Sequence, residues 1–599
     1  MGGDKVWGKT HGKYAFHGSC LRRADSMRLF ALGLALAFSS ACTGTIESNG
    51  AAAGTEAPEP YKAKIPGGDD FVCTDPETSS ASPSLMLSKT QLANTLEDLF
   101  GAGALEAASA DLGRLSDETF DDVTHARTSS LENSKVGAYP GIARAVAHYV
   151  VTDDARTKVV FGDCALGADT TGCIDTFVGG FGQRILRRPL TAREQEFVGL
   201  LAGQAAPFRD NAEAVLTYVL QSPHFLWRIE LGEAADDSED DTGFALTPYE
   251  VATRIAFDVT DSTPDTDLLA AASADQLREP SDIEAQVRRL LDTARGRTKV
   301  INNLAHWSMT ETPKDLSTLP AALTDGVDTA GLTDAMVDEA RRFIDDEVFT
   351  KQATFKALLS STDSFAEHPG LAAVYGHAPV TSDAPATMAG RRAGLLLRSP
   401  SLTWTGPRTS IIHRGVDFQL RVLCNEIPQP NVDIVSAREE HALPPEEERL
   451  ASNRDAVAYL TSSDACQGCH GTINPTGFAL EAFDSLGRWR EEELLLDESG
   501  EPIGTAAIDT TASIPLPDGT KLDVTGAADL VQYVADSADG NACFARNLFR
   551  FVAERVETRA DDCRIQSVHE SLMSDEPLVD VLAALIADQS VLRKTMGVN

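Results

Sequence analysis

Apolar residues recur at helical spacing along much of the chain, and several of these runs are preceded by helix-start signals. Leu92, Leu96, Leu99 and Phe100 fall on one helix face, and Ser88-Lys89-Thr90-Gln91 ahead of them has the form of a capping box. Ile174, Phe177, Val178, Phe181 and Ile185 stand at i, i+3, i+4, i+7 and i+11. That spacing predicts one amphipathic helix with its stripe inward, stopped by Pro189. Thr191-Ala192-Arg193-Glu194 caps a further helix carrying Phe197, Val198, Leu200 and Leu201. Thr247-Pro248-Tyr249-Glu250 caps another, with proline at the first helical position, and leads into Val251, Ile255 and Phe257. Strand signals are sparse. Residues 508–516, followed by Pro517-Asp518-Gly519-Thr520, predict a small β-hairpin ahead of a C-terminal helical block that includes residues 543–556. No tandem repeat of fixed period stands out, so the pattern predicts a mainly α protein.

One apolar run has a different meaning. Met27-Arg28 precedes ten apolar residues, Leu29 to Phe38, and then Ser39-Ser40-Ala41-Cys42. A short basic start, an apolar stretch and small residues before a cysteine read as a secretory signal over residues 1–41, with residues 1–26 an upstream extension. Ten apolar residues are too few to cross a hydrocarbon layer of about 30 Å. Cys42 stands where a lipid-modified cysteine would stand, although Ser39 replaces the usual leucine. Plain cleavage after Ala41 is the alternative. Residues 42–72, rich in Ala, Gly, Pro and Glu, read as a flexible tether.

Composition narrows the partners. At 599 residues the chain is too long for one core, and about 150 residues per domain suggests roughly four modules. A net charge of −38 argues against nucleic-acid binding, because a polyanion repels phosphates and no basic stripe offsets it. Loss of the leader removes six basic and two acidic side chains, leaving the mature chain more acidic still. The acidic run 236–241 lacks the spacing and terminal glutamate of a calcium loop and reads as a surface linker.

Ten cysteines in an exported chain imply oxidising chemistry. Cys20 and Cys42 belong to the leader and its junction, and Cys466 and Cys469 to a motif of their own. The remaining six, Cys73, Cys164, Cys173, Cys424, Cys543 and Cys563, suit three disulfides. Cys164–Cys173 closes a short, readily turned loop; Cys543–Cys563 would clip two helices; Cys73–Cys424 follows only by elimination.

The chemistry lies in Cys466-Gln467-Gly468-Cys469-His470. Two thiols three residues apart can reach the two vinyl groups of a haem, and the adjacent imidazole can ligate its iron. Random placement of this chain's ten Cys and twelve His would give roughly 0.003 such pentapeptides, so the motif reads as purposeful. Two other readings stay open: a Cys466–Cys469 disulfide or redox dithiol, and a structural metal site. The latter has no second Cys/His pair at finger-like spacing. A sixth iron ligand is not obvious. Met388, His413, His441, His569 and Met573 are the candidates, leaving His/His, His/Met or five-coordinate iron. Arg488 and Arg490 could pair with haem propionates or simply with surface carboxylates. No Gly-x-Ser-x-Gly elbow, phosphate loop, dinucleotide fingerprint or His-Glu-x-x-His is present.

Residues 469–490, from Cys469-His470-Gly471 through Asn474-Pro475-Thr476-Gly477-Phe478 to Arg488-Trp489-Arg490, resemble a signature segment of large exported bacterial cytochrome-c-like proteins. That family is built from five consecutive domains of unknown function. Arg391-Arg392-Ala393-Gly394, Thr405-Gly406-Pro407-Arg408 and Arg414-Gly415 resemble the start of the same module. Residues 184–191 with Ser222-Pro223-His224-Phe225-Leu226-Trp227-Arg228 resemble a second, 246–307 a third, and 508–510, 517–520 and 543–556 the last. The match near residues 85–100 is faint. Phe257-Asp258-Val259-Thr260-Asp261 departs from the family, which usually has aromatic residues there.

The resemblance and the patterns together imply helical modules over 73–155, 160–235 and 244–385, a cytochrome-c-like module over 388–492, and a hairpin with helices over 493–599. They point to a lipid-anchored protein of the periplasm or outer surface. It would hold haem c through Cys466, Cys469 and His470, for electron transfer or oxidoreduction with a redox partner or envelope protein. The rival is a non-catalytic surface or polysaccharide-binding protein with a structural Cys466–Cys469 pair. A thiol–disulfide oxidoreductase is weaker, because no βαβ setting surrounds the two cysteines.

Overall fold

All three capping boxes become helix starts. In a computed structural model, Ser88, Thr191 and Thr247 each accept from the backbone amide three residues on, while Gln91, Glu194 and Glu250 return the bond to the cap amide. The helices they open are Lys89–Phe100, Ala192–Ala202 and Pro248–Thr260. The structure describes Cys73, residues 85–116, 119–120, 127–128, 137–170, 172–234, 243–427, 447, 450–516, 519–588 and 593–595. The leader, Cys20, Cys42, the whole tether 42–72, the acidic run 236–241, and Pro517 and Asp518 of the turn lie outside the described residues.

One helix expectation changes. The helix read through residues 174–185 is two helices, Cys173–Gly179 and Phe181–Leu186. Gly179 and Gly180 stand at the break, where paired glycines weaken helical backbone; Gly180 takes φ −127° and ψ −95°. Phe177, Phe181 and Ile185 are still buried. The helix Ala192–Ala202 buries only Val198, while Phe197 and Leu200 are 46% and 59% exposed. Its apolar stripe thus points partly to solvent.

The fold is mainly α, with strands in short antiparallel pairs and one three-stranded sheet. The expected hairpin forms: Ala512–Pro515 pairs with Lys521–Val524, in the register Ala512↔Val524 to Pro515↔Lys521. A second hairpin, Glu492–Leu496 with Pro502–Ala507, follows the motif module and was not read from the sequence.

The described residues form one compact unit. Its buried hydrophobic residues gather in three clusters. One runs from Leu87 to Phe225 and adds Phe257; a larger one spans Leu246 to Ala587; a small one joins Met336, Tyr375, Met388 and Leu486. The helix Pro248–Thr260 stands between the first two cores, with Phe257 in one and Val251, Ile255 and Val259 in the other. Its polar residues are therefore buried and must be paired. Arg254 Nε donates to Glu230 Oε1 at 3.0 Å, and Asp258 receives Arg228. Asp258 thus serves a buried ion pair, and Asp261, at the end of the helix, takes Lys299 Nζ at 2.8 Å.

The six remaining cysteines form three disulfides, as expected, but two pairings differ. Cys164–Cys173 is formed; the others are Cys73–Cys563 and Cys424–Cys543, in place of Cys543–Cys563 and Cys73–Cys424. The reason is geometric. Cys543 lies near the start of helix Ala538–Ala553, and Cys563 near the start of helix Asp562–Met573. The two helices pack together across a short connection. With about 1.5 Å of rise per residue, Cys543 stands some 15 Å from the end that meets Cys563. Among the described residues no helix is long and apolar enough to cross a membrane.

Candidate functional site

The Cys466–His470 motif opens one continuous helix, Asp464–Ala479. Cys466, Cys469 and His470 are half-buried at its first turns, whereas Ile473, Asn474, Thr476, Gly477 and Phe478 are buried in its second half. Positions i and i+3 on a helix hold the two thiols on one face, with the imidazole one residue further round. Both cysteines lie outside the three disulfides, and the rival Cys466–Cys469 bridge is not formed.

His470 is oriented from within its own helix. Its Nδ1 is 3.0 Å from Asn474 Oδ1, four residues on. Asn474 Nδ2 donates to Thr461 Oγ1 at 2.8 Å, and Thr461 donates to the Val457 carbonyl at 2.7 Å. With its amide nitrogen committed to Thr461, Asn474 presents its carbonyl oxygen to the ring. That assigns the proton to Nδ1 and leaves Nε2 as the atom able to bind a metal.

The ring support continues outward. Thr461 caps helix Asn453–Leu460. Asn453, at the start of that helix, donates through Nδ2 to the Thr409 carbonyl at 2.9 Å and to Glu481 Oε2 at 3.2 Å; its amide reaches Glu493 Oε2 at 2.8 Å. Burial pushes the Glu493 carboxyl above the usual carboxylate range. Arg414 closes the other side of the module, donating to the carbonyls of Phe483 (2.7 Å) and Asp484 (2.8 Å).

Helix Ile411–Asp417 crosses the motif helix at very close range. A Cβ on Gly415 would stand 2.2 Å from the Ile473 carbonyl oxygen, and one on Gly477 would stand 2.1 Å from that of Ile411. Reciprocal glycines therefore permit the contact.

The donor set suits haem c. Two thiols share a face with an imidazole that is held through Nδ1 by Asn474, which leaves Nε2 as its metal-binding atom.

The candidate sixth ligands have other neighbourhoods. Met388 is in the core with Met336 and Leu486. The His413 ring stands 4.8 Å from that of Trp404 and 2.6 Å from Ser410 Oγ. His569 Nε2 is 3.2 Å from the Ala538 carbonyl, and Met573 is exposed. His441 lies outside the described residues. Arg488 is engaged with Asp484 (3.0 Å) and the Leu323 carbonyl, and Arg490 with Glu481 (3.6 Å), so ordinary ion pairing describes both.

A second cluster, Asp346, Glu347 and Asp363, has three carboxylates within reach of one cation. Lys351 Nζ already stands among them at 2.7, 2.8 and 2.6 Å. The three anions hold the ammonium above its ordinary pKa, and the cation there is the lysine. Nothing in the sequence pattern flagged this cluster.

Three consecutive segments match known family models. Residues 173–230 match PSD5, a protein of unknown function (DUF1595). Residues 246–377 match PSD4, a protein of unknown function (DUF1592), and residues 392–493 match PSCyt3, a protein of unknown function (DUF1588). The last contains the whole motif helix. The chain is thus multidomain, with these three domains in series. No curated protein and no solved structure matches it.

Proposed function

We propose that this chain is an exported, lipid-anchored envelope protein that carries one covalently attached haem c. Cys466 and Cys469 would take the thioether bonds and His470 Nε2 would face the iron. The observation that carries the reading is the imidazole locked by Asn474 beside two thiols on one helical face. When bound, the haem supplies one-electron redox chemistry, and the task is electron transfer or oxidoreduction with an envelope partner. The chain's own residues present the thiols, fix the ring tautomer and keep the motif helix in register with its neighbours. The leader sequence, Cys42 and the three disulfides support an oxidising compartment outside the cytoplasm. The abbreviation Cyt in the name of the model matched over 392–493 points the same way.

The test is expression of the full chain alongside haem-attachment machinery. The purified protein should retain its Soret absorbance after denaturation and acid–acetone extraction, and should contain one iron per chain. Cys466→Ala with Cys469→Ala should abolish the retained colour. A wild-type chain whose chromophore extracts completely, or that contains no iron, sinks the proposal.

A further inference from the structure

Outside the motif module, a cleft of about 250 Å³ opens at the junction between the segment matched over 173–230 and the one matched over 246–377. His224, Trp227 and Tyr249 line it, with Ile229 and Leu231 at its apolar side.

Its charged groups are all engaged. Arg188 makes two bonds to Glu194, at 2.9 and 3.0 Å. The Arg187 guanidinium donates to the carbonyls of Phe225 (3.2 Å) and Trp227 (2.9 Å). Glu250 receives the amides of Leu231, Gly232 and Thr247 at 2.6, 3.2 and 2.8 Å. What remains is an aromatic lining with open polar tips. The His224 imidazole, the Trp227 indole N–H and the Tyr249 hydroxyl have no hydrogen-bond partner among the described residues. Burial, with Arg188 and Arg187 nearby, lowers the His224 pKa, so at pH 7 the ring is neutral and offers one donor and one acceptor.

Such a lining discriminates between ligands. An anion finds no unpaired cation, and a cation finds no unpaired carboxylate. A purely apolar side chain would leave three polar tips unsatisfied. A neutral polyhydroxyl ring fits each feature: its C–H face rests on an aromatic ring and its hydroxyls meet the three tips. We infer that the cleft lined by His224, Trp227 and Tyr249 binds a neutral sugar residue, so that this protein docks on a saccharide chain through a site separate from Cys466–His470. The site stands whether or not haem is attached.

Tryptophan fluorescence and calorimetry on the purified full chain test it, with cellopentaose, xylopentaose, maltopentaose and chitopentaose as neutral probes. Tetragalacturonate serves as the acidic control and trileucine as the apolar one. At least one neutral probe should bind. Trp227→Ala should weaken it by about tenfold or more. Tyr249→Phe and His224→Gln, which keep the packing, should each weaken it by about threefold. The proposal falls if no neutral probe binds, if Tyr249→Phe and His224→Gln both bind as wild type does, or if only trileucine or tetragalacturonate occupies the cleft.

Discussion

At the scale of single residues, the motif was legible because its chemistry is contiguous: Cys466, Cys469 and His470 sit within five positions of one another. Asn474 was not read out. It lies four residues beyond His470, which matters only if the helix continues, and Pro475 would ordinarily argue for a helix boundary there. The helix nevertheless runs through Pro475 to Ala479, so Asn474 comes to rest on the imidazole. Asn474→Leu keeps the approximate volume and removes both the acceptor for His470 and the donor to Thr461. In the haem-free protein, ¹⁵N spectra of His470 should change from one dominant Nδ1–H tautomer to a mixture. In the loaded protein the thioether bonds should remain, while exogenous ligands displace the imidazole about 10–100-fold more readily. An unchanged tautomer in the variant would show that the ring is held by something other than Asn474. Because that readout needs no iron, it is independent of whether haem is attached.

At the scale of elements, capping boxes proved the most reliable signals, because each is a local exchange of two hydrogen bonds that needs no tertiary partner. Periodicity was weaker evidence. It made one helix of residues 174–185, where Gly179 and Gly180 divide the stripe. The closest contact in the candidate site had no pattern at all. Gly415 and Gly477 are single glycines in separate helices, and only the fold shows that each faces the other helix's backbone carbonyl. Carbonyl oxygens at 2.1 and 2.2 Å from a new Cβ cannot swing aside as a side-chain tip could, so the helices must part. Gly477→Ala should therefore cost about 1–3 kcal/mol in urea unfolding, despite alanine's better helix propensity. The same variant should loosen the Asn474–Thr461 bond, seen as faster amide exchange across residues 457–461. Gly468→Ala, with open space around it, should leave stability within about 0.5 kcal/mol of wild type.

At the scale of the whole molecule, a helical, multidomain chain with an oxidised cysteine framework could be read from patterning and composition, but the wiring between modules could not. The largest core cluster draws on Trp307, Phe355, Phe483 and Phe544, residues far apart in sequence, and the Phe355 and Phe544 rings stack at 4.0 Å between centroids. The disulfides follow this packing. Cys424 lies just past the helical segment Phe418–Val422, whose Arg421 carbonyl accepts from Trp307 Nε1 at 3.2 Å and from Asn547 Nδ2 at 3.1 Å. Cys424–Cys543 thus pins the motif module to the C-terminal helices at a place where side chains already join them. Its loop closes over a separation of 119 residues, and Cys73–Cys563 closes over 490. Loop entropy grows only as the logarithm of length, so two doublings should add only about 1.2 kcal/mol. Removing either bridge by paired Cys→Ser substitution should cost about 2–5 kcal/mol, with similar losses for the two pairs despite the fourfold difference in span. Cys424→Ser with Cys543→Ser should also broaden the urea transition, because the motif module then unfolds ahead of the C-terminal helices, and a haem Soret band or His470 ¹⁵N signal should be lost before the far-ultraviolet helix signal. A single sharp transition at the wild-type midpoint would mean that the aromatic core around Trp307 and Phe544 couples the two regions without help from sulfur.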